Sequence, residues 1–548
     1  MTRPILEWIR KPSSRRGISF ASRDGSWEFW SYARLADLSS RFAQGLTRAG
    51  LQQLDTVALI QTSSPGFVAS LFGAIMAGGI PAPMPPPEQF LFTDDYQQRI
   101  RELLRVAAPR FVLLGADAPA TLRNLFSWTN ETKVIAVDTL LHGEYCQFRD
   151  DSADLALLQF TSGSSGHCRA VRVPHSALEV NIEAIHRWLE WKHTDVAASW
   201  LPLHHDMGLI GCLLSALVRE SDLWLFEPEH FVRSPLRYLR CLGEKGVSLT
   251  ALPNFALDHI VRRVRPDLLD GTDFSALRGV IVGSEMLKAD SFAGFNTLLA
   301  PFGFERHSLL PAYGLAEATL AATGVPLREG WSQLVVDRKA IAWGANVAQS
   351  CSDLSAGSTL VGCGRPLAGV SITIENESNQ TLTDNQIGQI VVRGNSVAAG
   401  YLKGVSAGET HFRAEGLQTG DMGFIHDGQL FVLGRLGDSL KIRGRSLFAQ
   451  DVESALSTLG LPPRRVVALL GSHEGEPTAV VLLERPAANH ISGAHSLLRS
   501  LASGAKAVVL EVPRGSIRRT SSGKVRRREL WEKFCTGGFA ELHCSHVG

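Results

Sequence analysis

Short apolar runs separated by amphipathic stretches fill the first half of the chain. Val57-Ala58-Leu59-Ile60 reads as a buried strand, and a Ser/Pro turn leads from it into the helical run Phe67 to Met76. Phe111-Val112-Leu113-Leu114, Val134-Ile135-Ala136-Val137, Leu223-Trp224-Leu225-Phe226, Leu249-Thr250-Ala251-Leu252 and Val280-Ile281-Val282 repeat the strand pattern. Buried strands alternating with helices predict parallel α/β sheets with crossovers. Beyond about residue 360 the pattern shifts to short strands and tight turns, as in Gln389-Ile390-Val391-Val392 and the hairpin signal Asp427-Gly428. From about Gly434 a further unit begins. Its apolar runs at Val466 to Leu470, Ala479 to Leu483 and Ala507 to Leu510 interleave with helical patterns around Asp451 to Leu459 and Ala494 to Leu501. The expectation is an α/β protein: a large N-terminal domain, 1–434, of two parallel-type α/β subdomains plus a small β-rich one. An α+β C-terminal domain, 435–548, follows it.

Composition narrows the class. The 548 residues are 45% apolar and 20% charged, with 55 Lys plus Arg against 54 Asp plus Glu. That balance does not suit a general binder of nucleic acid or of membrane surfaces. The eight cysteines are scattered without a CxxC pair, so neither a disulfide framework nor a zinc ribbon is expected. The N-terminus has no apolar stretch behind its positive charge, and Phe67 to Pro87 is interrupted by glycines and five prolines. Neither a signal peptide nor a transmembrane segment is expected, and the chain reads as a cytoplasmic enzyme.

Five segments carry candidate chemistry. In Leu157-Leu158-Gln159-Phe160-Thr161-Ser162-Gly163-Ser164-Ser165-Gly166 a strand runs into small hydroxylated residues and glycine, and a strand resumes at Val171-Arg172-Val173. Such a loop lets backbone N–H groups and hydroxyls approach a polyphosphate, although no GxxxxGK[ST] pattern occurs. In Trp200-Leu201-Pro202-Leu203-His204-His205-Asp206-Met207-Gly208-Leu209-Ile210, Asp206 could cap a helix over Met207 to Val218. Leu310-Pro311-Ala312-Tyr313-Gly314-Leu315-Ala316-Glu317 presents a carboxylate that suits a hard cation, or simply a helix start. Thr419-Gly420-Asp421 and Gly434-Arg435 offer a carboxylate for ribose hydroxyls and a guanidinium for phosphate, or two ordinary turns. The run Arg518-Arg519-Thr520-Ser521-Ser522-Gly523-Lys524-Val525-Arg526 is basic. None decides alone.

Their order along the chain does. The series resembles the adenylate-forming superfamily of acyl-CoA ligases, luciferases and peptide-synthetase adenylation domains. The wording LPLHHDMGLIG, LPNFALD (Leu252 to Asp258), LLPAYGLAEATL and SSGK resembles its fatty acyl-AMP ligase branch. From Glu317 to Gly364 the chain advances 364 − 317 = 47 residues, longer than in acyl-CoA ligases. The resemblance implies an insertion within about 330–359, beginning near Val335-Val336-Asp337-Arg338, associated with delivery to an acyl carrier protein rather than to CoA.

The resemblance further implies ATP-dependent conversion of a fatty acid to acyl-AMP, with Mg2+ and with transfer to the thiol of a holo acyl carrier protein. Residue by residue, Thr161, Ser162, Gly163, Ser164, Ser165 and Gly166 would hold the β- and γ-phosphates, with Arg169 nearby. Ser284, Glu285, Ala312, Tyr313 and Gly314 would frame the adenine, Asp421 would take the ribose, and Glu317 the magnesium. Arg435 would contact ribose or phosphate. Lys524, on a mobile C-terminal domain, would bridge the carboxylate and the α-phosphate, and His205 would position the carboxylate or gate the tunnel. The acyl pocket would run along Asp206, Met207, Gly208, Ile210, Cys212 and Phe255. The chain departs from the family at Cys168-Arg169-Ala170, where relatives carry Pro-Lys-Gly, and at Gly437, where many carry a charge. An acyl-CoA ligase and a non-catalytic acyl- or nucleotide-binding scaffold are the competing readings.

Overall fold

The computed structural model describes residues 4–87, 94–115, 118, 122, 132–142, 154–161, 168–337, 341–347, 357–402, 409–442, 445–486, 488–502, 504–519, 525–539 and 544–545. Two parallel sheets form the N-terminal part. The smaller has the strand order Ile80–Met84, Thr56–Ile60, Phe111–Leu114, Lys133–Ala136, all parallel. Between its first two strands in sequence lies the helix Pro65–Met76. Ser64 caps that helix by accepting the Phe67 N–H at 3.2 Å, with proline at the first helical position where no donor is needed.

The larger sheet has nine strands. Its centre is parallel, in the order Leu309–Gly314, Gly279–Gly283, Leu249–Pro253, Val196–Ser199, Asp222–Leu225, Gly17–Ala21, and antiparallel strands close both edges. The strands expected from apolar runs are present within three residues of their expected bounds. Leu155–Thr161 and Arg169–Pro174 pair antiparallel, so the Thr/Ser/Gly segment is flanked by strands as expected; residues 162–167 lie outside the described residues.

The small β-rich sheet contains Val370–Glu375, Gly388–Gly394, His411–Arg413, Gly416–His426 and Gln429–Arg435. Asp427 and Gly428 join its last two strands, both with positive φ (49° and 71°), as the Asp-Gly signal requires. The C-terminal α+β unit follows, with a sheet built on Val466–His473, Glu476–Glu484 and Lys506–Val512. Within the segment 330–359, Gln333–Asp337 pairs with Gly357–Val361. Val336 and Ile341 are buried against Phe424, Phe431 and Phe448, and the Ser446 N–H donates to the Ile341 carbonyl at 3.0 Å. The segment therefore rests on both the small sheet and the start of the C-terminal unit.

One element differs from expectation. Met207–Leu214 is a π-helix, and only Ser215–Arg219 is α-helical. Asp206 caps it, accepting the Met207 N–H at 2.8 Å. A Cβ on Gly208 would stand 2.5 Å from the Pro202 carbonyl oxygen, so glycine is needed for this close approach. The wide turns change which side chains share a face, and π-helical turns often lie at functional sites.

Burial also fixes a pH response. His186 is 2% exposed in the core, its Nε2–H donating to the Ser215 carbonyl at 2.9 Å. Burial holds its pKa down at about 4, with Arg219 acting in the same direction. The unfolded chain takes up that proton near pH 6.5 and the folded one does not. Stability is therefore complete above about pH 6.5 and declines as pH falls toward 4. Between pH 7 and pH 5 this group should cost about 2 kcal/mol. Denaturant unfolding of the parent and of His186→Gln at both pH values checks this: the parent should lose more stability than the variant, and equal losses would refute the assignment.

Candidate active site

One cleft of about 1020 Å³ gathers side chains from both parallel sheets, the small sheet and the C-terminal unit. Its polar end is organised around two buried carboxylates. Asp421, on Gly416–His426, faces Arg435 across the hairpin, because the two residues are register partners. Its Oδ1 is 3.3 Å from Arg435 Nε, and its Oδ2 accepts the Tyr313 hydroxyl at 2.7 Å. The Asp421 carboxylate raises the Arg435 pKa further. Burial first, then Asp421, pushes the Tyr313 phenol well up, so it stays a neutral donor. Thr419 and Gly420 shape the approach: the Asp421 N–H donates to Thr419 Oγ1 at 3.1 Å, and Gly420 has φ +77°.

The second carboxylate, Glu317, is 6% exposed on the 3-10 turn Ala316–Ala318 that follows the strand bearing Tyr313. It accepts the Tyr401 hydroxyl at 2.7 Å. The Arg169 guanidinium lies over the other side of that contact, 4.4 Å from the Tyr401 ring centroid, a cation–π distance. Arg169 is itself buried. On the strand end paired with it, the Thr161 hydroxyl finds no hydrogen-bond partner among the described residues. No three His, Cys, Asp or Glu side chains among the described residues cluster to hold a metal ion. A cation here would be held by Glu317 together with phosphate oxygens and water, which is how Mg2+ accompanies nucleotides, so this donor set fits it.

The two histidines separate in character. His204 is buried, its ring 4.6 Å from that of His205, and burial first, then His205 and Arg99, holds its pKa well below the usual imidazole range. His204 is thus neutral. Its carbonyl accepts the Gln159 side-chain amide at 2.8 Å, tying it to the strand that leads into the Thr/Ser/Gly segment. His205 lines the cleft.

Of the residues singled out by sequence, Thr161, Arg169, Ser284, Glu285, Ala312, Tyr313 and Gly314 line this cleft, as do Glu317, Asp421 and Arg435. Asp206, Met207 and Phe255 also line it. Gly208, Ile210 and Cys212 do not: Ile210 and Cys212 are in the hydrophobic core, and burial pushes the Cys212 thiol up to about 11. Ser162, Gly163, Ser164, Ser165, Gly166 and Lys524 lie outside the described residues. Arg519 and Val525, on either side of Lys524, pair as an isolated antiparallel bridge, and both line the cleft. Sequence reasoning missed Tyr401, Gln159, Arg99 and Gly211. The Tyr401 signal was a tyrosine after Gly400; Arg99 sits on the helix Asp94–Ala107 with no motif to mark it.

Comparison with known proteins places this geometry. The sequence pattern of the family described as AMP-binding enzyme matches residues 7–402. A Caulobacter vibrioides protein described provisionally as an acyl-CoA synthetase is 29% identical over 96% of this chain and 94% of its own. The medium-chain-fatty-acid–[acyl-carrier-protein] ligase JamA of Moorena producens is 29% identical over 96% of this chain and 93% of its own. The long-chain-fatty-acid–AMP ligase FadD32 of Mycolicibacterium smegmatis is 31% identical over 79% of this chain and 71% of its own. A structure from studies of fatty acyl-adenylate ligases of E. coli and L. pneumophila superposes with a TM-score of 0.88 at 26% identity, covering 98% of both chains.

Proposed function

The chain belongs to the AMP-binding enzyme family, in its fatty acyl-AMP ligase branch, and from that premise we propose that it activates a fatty acid with ATP and hands it to an acyl carrier protein. In the first step a carboxylate oxygen attacks the α-phosphorus of ATP, the bond to the β-phosphate oxygen breaks, and pyrophosphate leaves. In the second, the phosphopantetheine thiolate of the carrier attacks the acyl carbonyl and AMP leaves. The observation that carries this reading is the cleft itself: two buried carboxylates, a guanidinium and an apolar wall meet in one space.

The first step brings two anions together and builds charge on the α-phosphate, so its residues must neutralise and orient. Thr161 and Ser162 to Gly166 receive the β- and γ-phosphates, and a Thr161 hydroxyl without a partner among the described residues supports this. Ser284, Glu285, Ala312, Tyr313 and Gly314 frame the adenine. Asp421 takes the ribose hydroxyls, exchanging its contacts with Tyr313 or Arg435 for them. Arg435, fixed beside Asp421, is at hand for ribose or phosphate. Glu317 holds Mg2+, which when bound neutralises phosphate charge. Arg169 supplies fixed positive charge where relatives use lysine, but as a planar group resting on Tyr401. His205 orients the acyl carboxylate, and Lys524 bridges it to the α-phosphate. Residues 435–548 act as a mobile domain that brings Lys524 in for the first step and withdraws it for the second. Such ATP-dependent chemistry belongs in the cytoplasm.

The test is ATP–pyrophosphate exchange and product analysis over a panel of fatty acids, with CoA and a holo acyl carrier protein offered in parallel. Acyl-AMP that reaches the carrier and not CoA is the expected result. Acyl-CoA as the main product would overturn the carrier assignment and favour the acyl-CoA ligase reading. No exchange with any acid would overturn the enzymatic reading and favour the non-catalytic scaffold.

A further inference from the structure

Positive charge gathers at a second place in the cleft, on residues that no motif marks. Arg99 lies on the helix Asp94–Ala107, which packs on the strand Arg169–Pro174. Tyr96 and Leu103, one turn before and one turn after Arg99, share an apolar cluster with Phe160 and Cys168. Phe160 precedes the Thr/Ser/Gly segment in the sequence and Cys168 follows it, so the helix face that carries Arg99 adjoins the strand ends on either side. Arg99 lines the cleft there together with Thr161, Cys168 and Arg169. Its guanidinium forms no ion pair among the described residues. Glu102, on the next turn of the helix, instead accepts the Gln98 side-chain amide at 3.5 Å.

The charge facing Arg99 comes from the C-terminal unit. Burial first, then the charge of Arg526, lowers the Arg99 pKa. Arg526 also lines the cleft and pairs with Glu529 at 3.2 Å, but Arg518 draws on the same carboxylate at 3.5 Å. One carboxylate therefore serves two guanidiniums, and Arg99 adds a third positive charge. Like charges gathered in a partly buried cleft repel, and an anion between them relieves that repulsion. Arg169 does not duplicate this role, because its guanidinium is buried over the Tyr401 ring, whose hydroxyl Glu317 accepts.

We infer that Arg99 and Arg526, one from each unit, hold the pyrophosphoryl end of ATP and then the pyrophosphate that leaves. The β- and γ-phosphates supply the concentrated negative charge that the pair calls for, and guanidinium forks suit phosphate oxygens. Arg526 follows Lys524 by two residues. One short stretch of the C-terminal unit thus serves both sides of the bond that breaks, Lys524 at the α-phosphate and Arg526 at the leaving group. The inference rests on the ligase reading and assigns residues to its leaving group.

The experiment measures binding of ATP, AMP and inorganic pyrophosphate, each with Mg2+, by calorimetry on the full-length protein and on Arg99→Ala, Arg99→Lys and Arg526→Ala. Each alanine variant should weaken ATP and pyrophosphate by about tenfold or more, the loss of one charge-assisted contact, and leave AMP nearly unchanged. Arg99→Lys keeps the charge and should recover part of that loss. In exchange assays the KM for pyrophosphate should rise in the same order. Equal losses for ATP and AMP would overturn the inference, because a merely structural role weakens both. ATP binding that ignores the changes would overturn it as well, and either result leaves the ligase reading standing. If Arg99→Ala does not fold, Arg526→Ala decides by the same comparison. Unmodified protein that binds none of the three overturns both readings.

Discussion

Lys524→Ala should lower acyl-AMP formation by about 10²–10³-fold, the cost of one charge contact made to the transition state. It should leave transfer from supplied acyl-AMP to the carrier thiol nearly unchanged. The asymmetry follows from the chemistry. Approach of a carboxylate to the α-phosphate brings like charges together, and a cation touching both lowers that barrier. Attack of a thiolate on a carbonyl has no such pair to bridge. Arg519 and Val525, which precede and follow Lys524 in the sequence, pair with each other and line the cleft. The last helix is also tied to the cleft region. Arg527 Nη2 donates to both Glu453 carboxylate oxygens, at 2.8 and 2.9 Å, and Nη1 reaches Asp438, three residues beyond Arg435, at 3.4 Å. Single-turnover assays of the two half-reactions measure the asymmetry. Equal losses in both would mean that Lys524 holds the C-terminal unit in place rather than acting on the phosphate.

Much of this site was legible in the sequence because its chemistry is written in short, ordered segments. Asp421 and Arg435 are each flagged by neighbouring glycines, and their pairing is the consequence of a hairpin that Asp427-Gly428 announces. Parallel strands were legible for a similar reason: runs such as Phe111-Val112-Leu113-Leu114 are buried on both faces and leave no polar position. The π-helix was not. Met207 to Leu214 is apolar or glycine at every position, so no polar face reports the period, and 3.6 and wider turns look alike. Gly208, Ile210 and Cys212 were accordingly assigned to the cleft, whereas Gly211 lines it. Contacts between distant segments were equally invisible. Tyr401 and Glu317 are 84 residues apart, and the ring that Tyr401 offers to Arg169 comes from a third segment.

That three-residue contact yields the other large effect. Glu317→Gln should reduce kcat/KM for ATP by about 10²–10³-fold and shift the response to Mg2+ to higher concentration. The replacement keeps an oxygen that can accept the Tyr401 hydroxyl, so geometry is retained and charge is removed. A neutral amide is a poor ligand for a hard cation, and no cluster of three His, Cys, Asp or Glu side chains among the described residues offers an alternative site. Tyr401→Phe makes the opposite change. It keeps the Glu317 charge and a ring face for Arg169 but removes the hydrogen bond that orients the carboxylate. A hydrogen bond to a charged group contributes about 1.5–3 kcal/mol, so a loss of at least about tenfold is expected. Its Mg2+ response should move less than that of Glu317→Gln. Titrating Mg2+ at saturating ATP for the parent and both variants separates the roles. If Glu317→Gln keeps the parent's Mg2+ dependence, the carboxylate does not hold the metal, and its burial beneath Tyr401 and Arg169 would then serve the fold of the strand that carries Tyr313.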